Sequence, residues 1–138
     1  MKQTKILAEA VLQAEDKTVL IVRRSKDDTK RPGQWDVPGG HVDEGEDFTN
    51  AAAREVLEET GITISRDELQ LAYTVSMQRD EFNLCWLFYV AQIKKQEATV
   101  SHEHEEAAWV TLDQAIDSIE YFLQKDALKY IRDNQLLN

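Results

Sequence analysis

The chain has 138 residues, an apolar share of 42% and a net charge of −10, which describes one ordinary domain with a core of its own and no run of about 18 apolar residues to cross a membrane. So acidic a surface repels the phosphate backbone of long nucleic acids, whose binding rests on Lys and Arg, but it admits a small anion escorted by metal cations. The single cysteine, Cys85, rules out an internal disulfide, and the apolar run Ile6–Ala8 is cut by Glu9 and is too short and too charged for a secretory leader; a reducing cytoplasm is the expected compartment.

No repeat, low-complexity stretch or Ser/Gly linker divides the chain, so residues 1–138 read as one domain. Residues 4–13 and 18–24 are expected to be strands joined by a polar turn at Ala14–Lys17, and Val19–Val22 is a continuous apolar run, as in a strand covered on both faces. Residues 25–34 are rich in turn formers, and Trp35, Val37, Pro38, Gly39 and Gly40 leave little room for regular structure. The clearest helix covers residues 48–60, with Asp47 as N-cap, Gly61 just past its end and Ala51–Ala53 favouring it. Residues 69–78 and 83–93 are expected to form a β-hairpin turning at Arg79–Phe82, its second strand buried from Cys85 to Val90. An acidic loop follows at 97–106, then a short last strand at Trp109 and Val110, then helices at 112–118 and 120–135, the last with an apolar face of Tyr121 or Phe122 with Leu128 and Ile131. This mixture implies a sheet with helices on both faces and does not fit repeated βαβ units.

The chemistry concentrates in residues 40–62, GHVDEGEDFTNAAAREVLEETGI. Glu55, Glu58 and Glu59 are spaced i, i+3, i+4 and share one helix face. Each like-charged pair there costs roughly 0.2–0.5 kcal/mol in an isolated helix. A divalent cation reverses that repulsion, and Mg²⁺ takes hard oxygen ligands while keeping several waters. Arg54, four residues before Glu58, is placed to pair with it and fix its direction.

The same segment matches G-x5-E-x7-R-E-U-x-E-E-x-G-U, with U aliphatic, at Gly40, Glu46, Arg54, Glu55, Val56, Glu58, Glu59, Gly61 and Ile62. Chance agreement is on the order of 10⁻¹⁰ per starting position. The pattern is the Nudix box, and the flanks RPGQWDVPGG and EHEEAAWVTLDQA extend the resemblance to the Nudix hydrolase family over roughly residues 4–118. The resemblance implies an α/β/α sandwich with a central mixed sheet, and Mg²⁺-dependent hydrolysis (with Mn²⁺ as a substitute) of a phosphoanhydride in a nucleoside-diphosphate-like substrate. It makes Glu55, Glu58 and Glu59 metal ligands, often joined by the Gly40 carbonyl. It gives Arg54 and Glu46 supporting roles around them. A glutamate before Trp109 often adds a metal ligand or general base in this family; Glu103 is the first choice and Glu106 the second.

Outside the box, Arg23 and Arg24 end a strand, so at most one points into the site to grip phosphate. Trp35, Trp86, Phe88 and Tyr89 are candidates to stack a base, with Trp86 and Tyr89 in a strand that reads as core. His102 and His104 form an H-x-H pair without a third zinc ligand, and His41 reads as exposed. Relatives acting on ADP-ribose or diadenosine polyphosphates often carry a Pro or Tyr a short way past the box; Thr74–Gln78, with Arg79 and Asp80 after it, has neither. What remains resembles a MutT-like housecleaning member acting on an NTP or dNTP. The expected partner is a small nucleotide, with neither long nucleic acid nor membrane, and a homodimer is an allowed assembly. The rivals are a nucleotide sensor that does not hydrolyse, whose box would be expected to lack carboxylates, and an enzyme acting on RNA 5′ ends, which would be expected to carry a basic patch.

Overall fold

The computed structural model describes residues 2–138. Seven strands are β1 (Gln3–Gln13), β2 (Val19–Arg24), β3 (Trp35–Asp36), β4 (Gly39–His41), β5 (Gln70–Gln78), β6 (Phe82–Gln92) and β7 (His104–Val110); three helices are α1 (Phe48–Thr60), α2 (Leu112–Ser118) and α3 (Phe122–Asp133), with a single 3-10 turn at Arg66–Glu68. β1 runs parallel to β6 along its whole length and antiparallel to the short β4, while β5 closes the edge against β6. β2 lies between β3 and β7, both antiparallel, and meets β1 only at Gln13 and Val19. The two expected strands around Ala14–Lys17 therefore diverge after one pair instead of forming a long hairpin.

Alternation along β1 and β6 sorts the core. Ala8, Ala10 and Leu12 with Leu87, Tyr89 and Ala91 face Ala52 and Val56 of α1. On the other face Val11 and Val90 meet Ala115 and Ile116 of α2 and Leu128 and Ile131 of α3, and Leu84, Trp86 and Phe88 meet Leu123 and Ala127. Helices thus cover both faces of a mixed sheet, the expected sandwich, and the apolar runs of β2 and β6 are buried as their composition implies. Ala51 and Ala52, both fully buried, let α1 lie close on the sheet.

α1 keeps the ends its sequence encodes. The Asp47 side chain accepts the Asn50 N–H, and Gly61 adopts φ 72° and donates to Leu57 O. Three expectations change. Residues 35–41 carry two short strands instead of irregular chain, because Trp35 and Asp36 pair with Arg23 and Val22 while Gly39–His41 pair with β1. The last strand starts at His104, inside the expected acidic loop, because β2 supplies it with a partner from Val19 to Arg24. The final helix is shorter than expected and begins after Tyr121; Phe122 is exposed, and buried Gln124 joins the apolar face.

Candidate active site

A cleft of about 750 Å³ runs from the open side of α1 across the edge of β4 to the α3 face of the sheet. One wall carries Glu55, Glu58, Glu59, Gly40 and Glu103; the other end carries Lys5, Leu7, Glu9, Arg31, Leu84, Trp86 and Tyr121. The site is therefore acidic at one end, cationic and aromatic at the other.

The acidic wall is organised by Arg54. Its Nε and Nη2 grip both Glu46 oxygens at 2.7 and 2.9 Å, Nη1 reaches Glu55 at 3.0 Å and Glu58 at 3.2 Å, and Nη2 also donates to the His41 carbonyl at 3.0 Å. Glu46, held by this fork and by the Asp43 N–H, is pulled down to about 2. Arg54 thus ties the helix to the loop before it and turns the Glu58 carboxylate.

Gly39 and Gly40 do different things. Gly39 sits at φ 149°, where a Cβ would strike the Ala8 carbonyl and the Glu9 backbone, so no other residue fits. Its N–H donates to Glu59 Oε1 at 2.8 Å. At Gly40 a Cβ would meet only the Glu55 carboxylate, at 2.6 Å; the missing methyl is the space that carboxylate occupies.

Burial pushes the Glu59 carboxyl up to about 9, with Glu55, Asp36 and Glu103 adding to the rise and the Gly39 N–H opposing it. Glu55 is also raised, by burial and by the charges of Glu58 and Glu103, against the pull of Arg54. Among the described residues no three His, Cys, Asp or Glu side chains are drawn into a ready cage: Glu58 is turned to Arg54 and Glu59 to Gly39. This donor set still suits Mg²⁺, which characteristically takes one or two carboxylates and completes its shell with water and substrate phosphate. Burial and neighbouring carboxylates raise the Glu55 and Glu59 carboxyls, so a cation that takes the place of their protons would be favoured, and the pocket at Gly40 that keeps a carboxylate in place fits such an ion.

Glu103 lines the cleft, whereas Glu106 points away and pairs with Arg23 at 3.5 Å. A bulge separates them: Arg23 pairs with Glu106 and Arg24 with His104, leaving Glu105 outside the register to accept the Lys26 N–H. The bulge sets the start of β7 where Glu103 meets the cleft. Arg24 reaches the cleft but is held by Asp28 and Asp36 at 2.6 and 2.7 Å. Arg23 does not line it, being bound to Gly33 O and Glu106, and Trp35 packs into the core under α2 and α3. His102 lines the cleft, and so does His41, which is exposed as expected; desolvation, with Lys30 and Lys5 nearby, lowers its pKa. His104 is buried with its Nδ1 unpartnered. Gly61 serves the end of α1 and stands apart from the cleft.

Of the far half the sequence pointed only to Trp86, as a stacking candidate that reads as core, and to Tyr121, on the apolar face of the last helix. Lys5 lies 4.2 Å over the Phe82 ring. Arg31 forks onto Asp36 and covers Tyr121 at 4.6 Å, and Arg79 donates to the Tyr121 hydroxyl at 3.2 Å. Glu9, 3% exposed, receives the Gln124 amide on both oxygens at 3.0 and 3.2 Å. The available signals were a carboxylate inside the apolar run AEAVL and an amide on the apolar face of α3.

With that geometry, likeness to known proteins becomes informative. The NUDIX domain matches residues 4–133. The chain is 32% identical over 114 residues to "Nucleoside diphosphate-linked moiety X motif 6" of Xenopus laevis, a match covering 78% of this chain and 50% of that protein, so the chain spans about half the length of that relative. Among solved structures it resembles a MutT protein from Methanosarcina mazei Go1 (TM-score 0.81, 28% identity, 97% of each chain) and a C. elegans Ap4A hydrolase (TM-score 0.75, 25% identity, 96% of this chain and 98% of that one). The box carboxylates gathered on one wall of the cleft, the sandwich beneath them and the match over nearly the whole length lead to one conclusion: the chain belongs to the NUDIX domain family.

Proposed function

We propose that the cleft hydrolyses a phosphoanhydride bond in a small nucleotide, with an NTP or dNTP as the substrate class, and that it works with Mg²⁺, for which Mn²⁺ substitutes. The observation that carries this reading is the acidic wall: Glu55, Glu58, Glu59 and Glu103 line one side of a single cleft, with Arg54 fixing two of them. Glu55, Glu58, Glu59 and the Gly40 carbonyl would hold the cation, with Glu103 as a further ligand or as general base. When bound, the ion supplies charge neutralisation at the phosphate oxygens.

The protein's own part is positioning, since phosphoryl chemistry asks little covalent work of side chains. Arg54 keeps the carboxylates in register. Glu103, on the loop before β7, lines the same cleft and would take the proton of the attacking water. Lys5, Lys30 and Arg79 line the cleft without a carboxylate partner among the described residues, and are the cations free to grip phosphate. Arg24 and Arg31 are already committed to Asp28 and Asp36.

A phosphate-release screen over NTPs, dNTPs, dinucleoside polyphosphates and nucleotide sugars, with and without Mg²⁺, tests the reading. Turnover of NTPs or dNTPs only with metal supports it. Binding without hydrolysis of any of them would favour a nucleotide sensor instead.

A further inference from the structure

The loop between β2 and β3 is held by a chain of ion pairs that the acidic wall does not use. Asp36, 4% exposed, takes Arg31 Nη1 on one oxygen and Arg24 Nη1 on the other, both at 2.7 Å. Arg24 gives its Nη2 to Asp28 at 2.6 Å. The other Asp28 oxygen accepts the backbone N–H groups of Lys30 and Arg31, each at 2.8 Å. The Lys30 backbone is thus pinned from both sides, by Asp28 on its own N–H and by the next residue, Arg31, riding on Asp36. The start of the loop is fixed too. Ser25 donates its N–H to the Glu103 carbonyl at 3.0 Å, and the Ser25 carbonyl accepts from Asp28 and Gly33. The whole loop therefore has a set position relative to Glu103. Replacing partly buried ion pairs by apolar residues is often neutral or stabilising, so stability alone is a weak reason to gather Arg24, Asp28, Arg31 and Asp36 under one loop.

The Lys30 side chain is the part of this loop left unspent. Of the three free cations of the cleft, Lys5 lies over the Phe82 ring and Arg79 donates to the Tyr121 hydroxyl, whereas the Lys30 ammonium has neither a hydrogen-bond acceptor nor a ring among the described residues. Its charge reaches His41, the neighbour of Gly40. We propose that Lys30 is the residue that grips the substrate's phosphate chain beside the acidic wall, and that Asp28 is its positioning residue, anchored through Arg24 on Asp36. A lysine is a point charge on a flexible stem, and ordering that stem opposes binding. A backbone held on both sides lowers the cost and keeps the ammonium at the cleft before the substrate arrives. Arg24, which lines the same cleft, is left to hold the loop rather than the ligand. The assignment rests on the hydrolytic reading only for the identity of the anion as a substrate phosphate.

The test reads KM and kcat on the NTP that turns over fastest, for the wild-type chain, Lys30→Gln, Asp28→Asn, the double variant and Lys26→Gln, with thermal melts beside them. Asparagine at position 28 keeps an oxygen for the two backbone N–H groups but sets an amide against Arg24. Lys30→Gln should raise KM roughly tenfold and leave kcat within about threefold, as the loss of a charge-assisted hydrogen bond to a bound group does. Asp28→Asn should raise KM roughly fivefold in the wild-type chain and by less than about twofold in the Lys30→Gln chain, because residues that act as one unit are not additive. Lys26→Gln removes the same charge from the same loop outside the cleft and should stay within about twofold, an exposed distant charge being screened. Binding of inorganic tripolyphosphate in EDTA, which needs neither metal nor turnover, should weaken at least ~fivefold in Lys30→Gln and in Asp28→Asn, and no further in the double variant. A Lys30→Gln chain with unchanged KM and tripolyphosphate affinity, or equal losses from Asp28→Asn with and without Lys30, would overturn the assignment, and turnover by the wild type would leave the hydrolase reading standing. Tripolyphosphate binding that follows the expected pattern, with no nucleotide hydrolysed, would uphold the roles of Lys30 and Asp28 and overturn the hydrolase reading.

Discussion

Gly40 and Glu59 show how single positions tune the acidic wall. A methyl at Gly40 would overlap only the flexible end of Glu55, so Gly40→Ala should fold and displace that carboxylate. We expect kcat to fall at least ~10-fold with a loss of stability below about 1 kcal/mol, read from steady-state kinetics beside thermal melts; unchanged kcat would mean that the Glu55 position is immaterial. For Glu59 the sign follows from linkage. Its folded pKa, about 9, lies above the usual carboxylate value because burial disfavours the charge. Its contribution to stability is therefore fully present at low pH and is lost as pH rises toward 9, by up to about 1.4 kcal/mol per pH unit. Between pH 7 and 9 the histidines with lowered pKa, His41 and His104, are neutral folded or unfolded, and Glu46 is ionised in both states. In EDTA the melting temperature should thus fall from pH 7 to 9, and Glu59→Gln should flatten the fall, leaving a remainder from Glu9, which burial, Asp36 and Glu59 also raise. A slope that Glu59→Gln leaves untouched would show that this carboxyl is not protonated in the folded chain.

At the scale of elements, Arg54 couples α1 to the loop before it, through Glu46 and the His41 carbonyl. Arg54→Lys keeps the charge but not the fork that spans four partners. It should cost about 1–3 kcal/mol, since Glu46 and Glu55 are largely buried and lose their donors, and kcat should drop as Glu58 is freed; full activity and stability in that variant would reduce Arg54 to a surface charge. α1 was legible end to end because its signals are local: a capping Asp47, three alanines, a Gly61 past the end. β3, β4 and the start of β7 were not, because short, polar segments become strands only when β1 or β2 lies beside them. The site divides the same way. Its acidic half sits within one motif, so spacing revealed it. Its far half joins Glu9, Arg31, Trp86 and Tyr121, which meet only through the parallel β1–β6 pair and the docking of α3, and no local pattern announces that meeting. Arg23 and Trp35 illustrate the converse: their chemistry suits a substrate, but strand alternation and the β2–β3 pairing direct them elsewhere.

Over the whole molecule, a charge of −10 coexists with a cleft holding Lys5, Arg24, Lys30, Arg31 and Arg79. Cations gathered in one recess suit a compact anion, whereas a polyanion needs a continuous basic track to displace its counterions. In direct competition at fixed Mg²⁺ and equal phosphoanhydride concentration, an NTP mixture should be hydrolysed faster than triphosphorylated RNA; faster RNA hydrolysis would contradict this view of the surface. The central claim, that the acidic wall is a metal-dependent hydrolytic site, is tested most directly by one measurement: kcat on NTPs for EDTA-dialysed protein before and after adding Mg²⁺, wild type beside Glu58→Gln. Glutamine keeps the size and helix propensity and removes a ligand charge. We expect no turnover without metal, recovery with Mg²⁺ in the wild type, and at least ~100-fold less in Glu58→Gln, about 2.7 kcal/mol of transition-state stabilisation. Full turnover in EDTA, or a Glu58→Gln chain as active as the wild type, would contradict it.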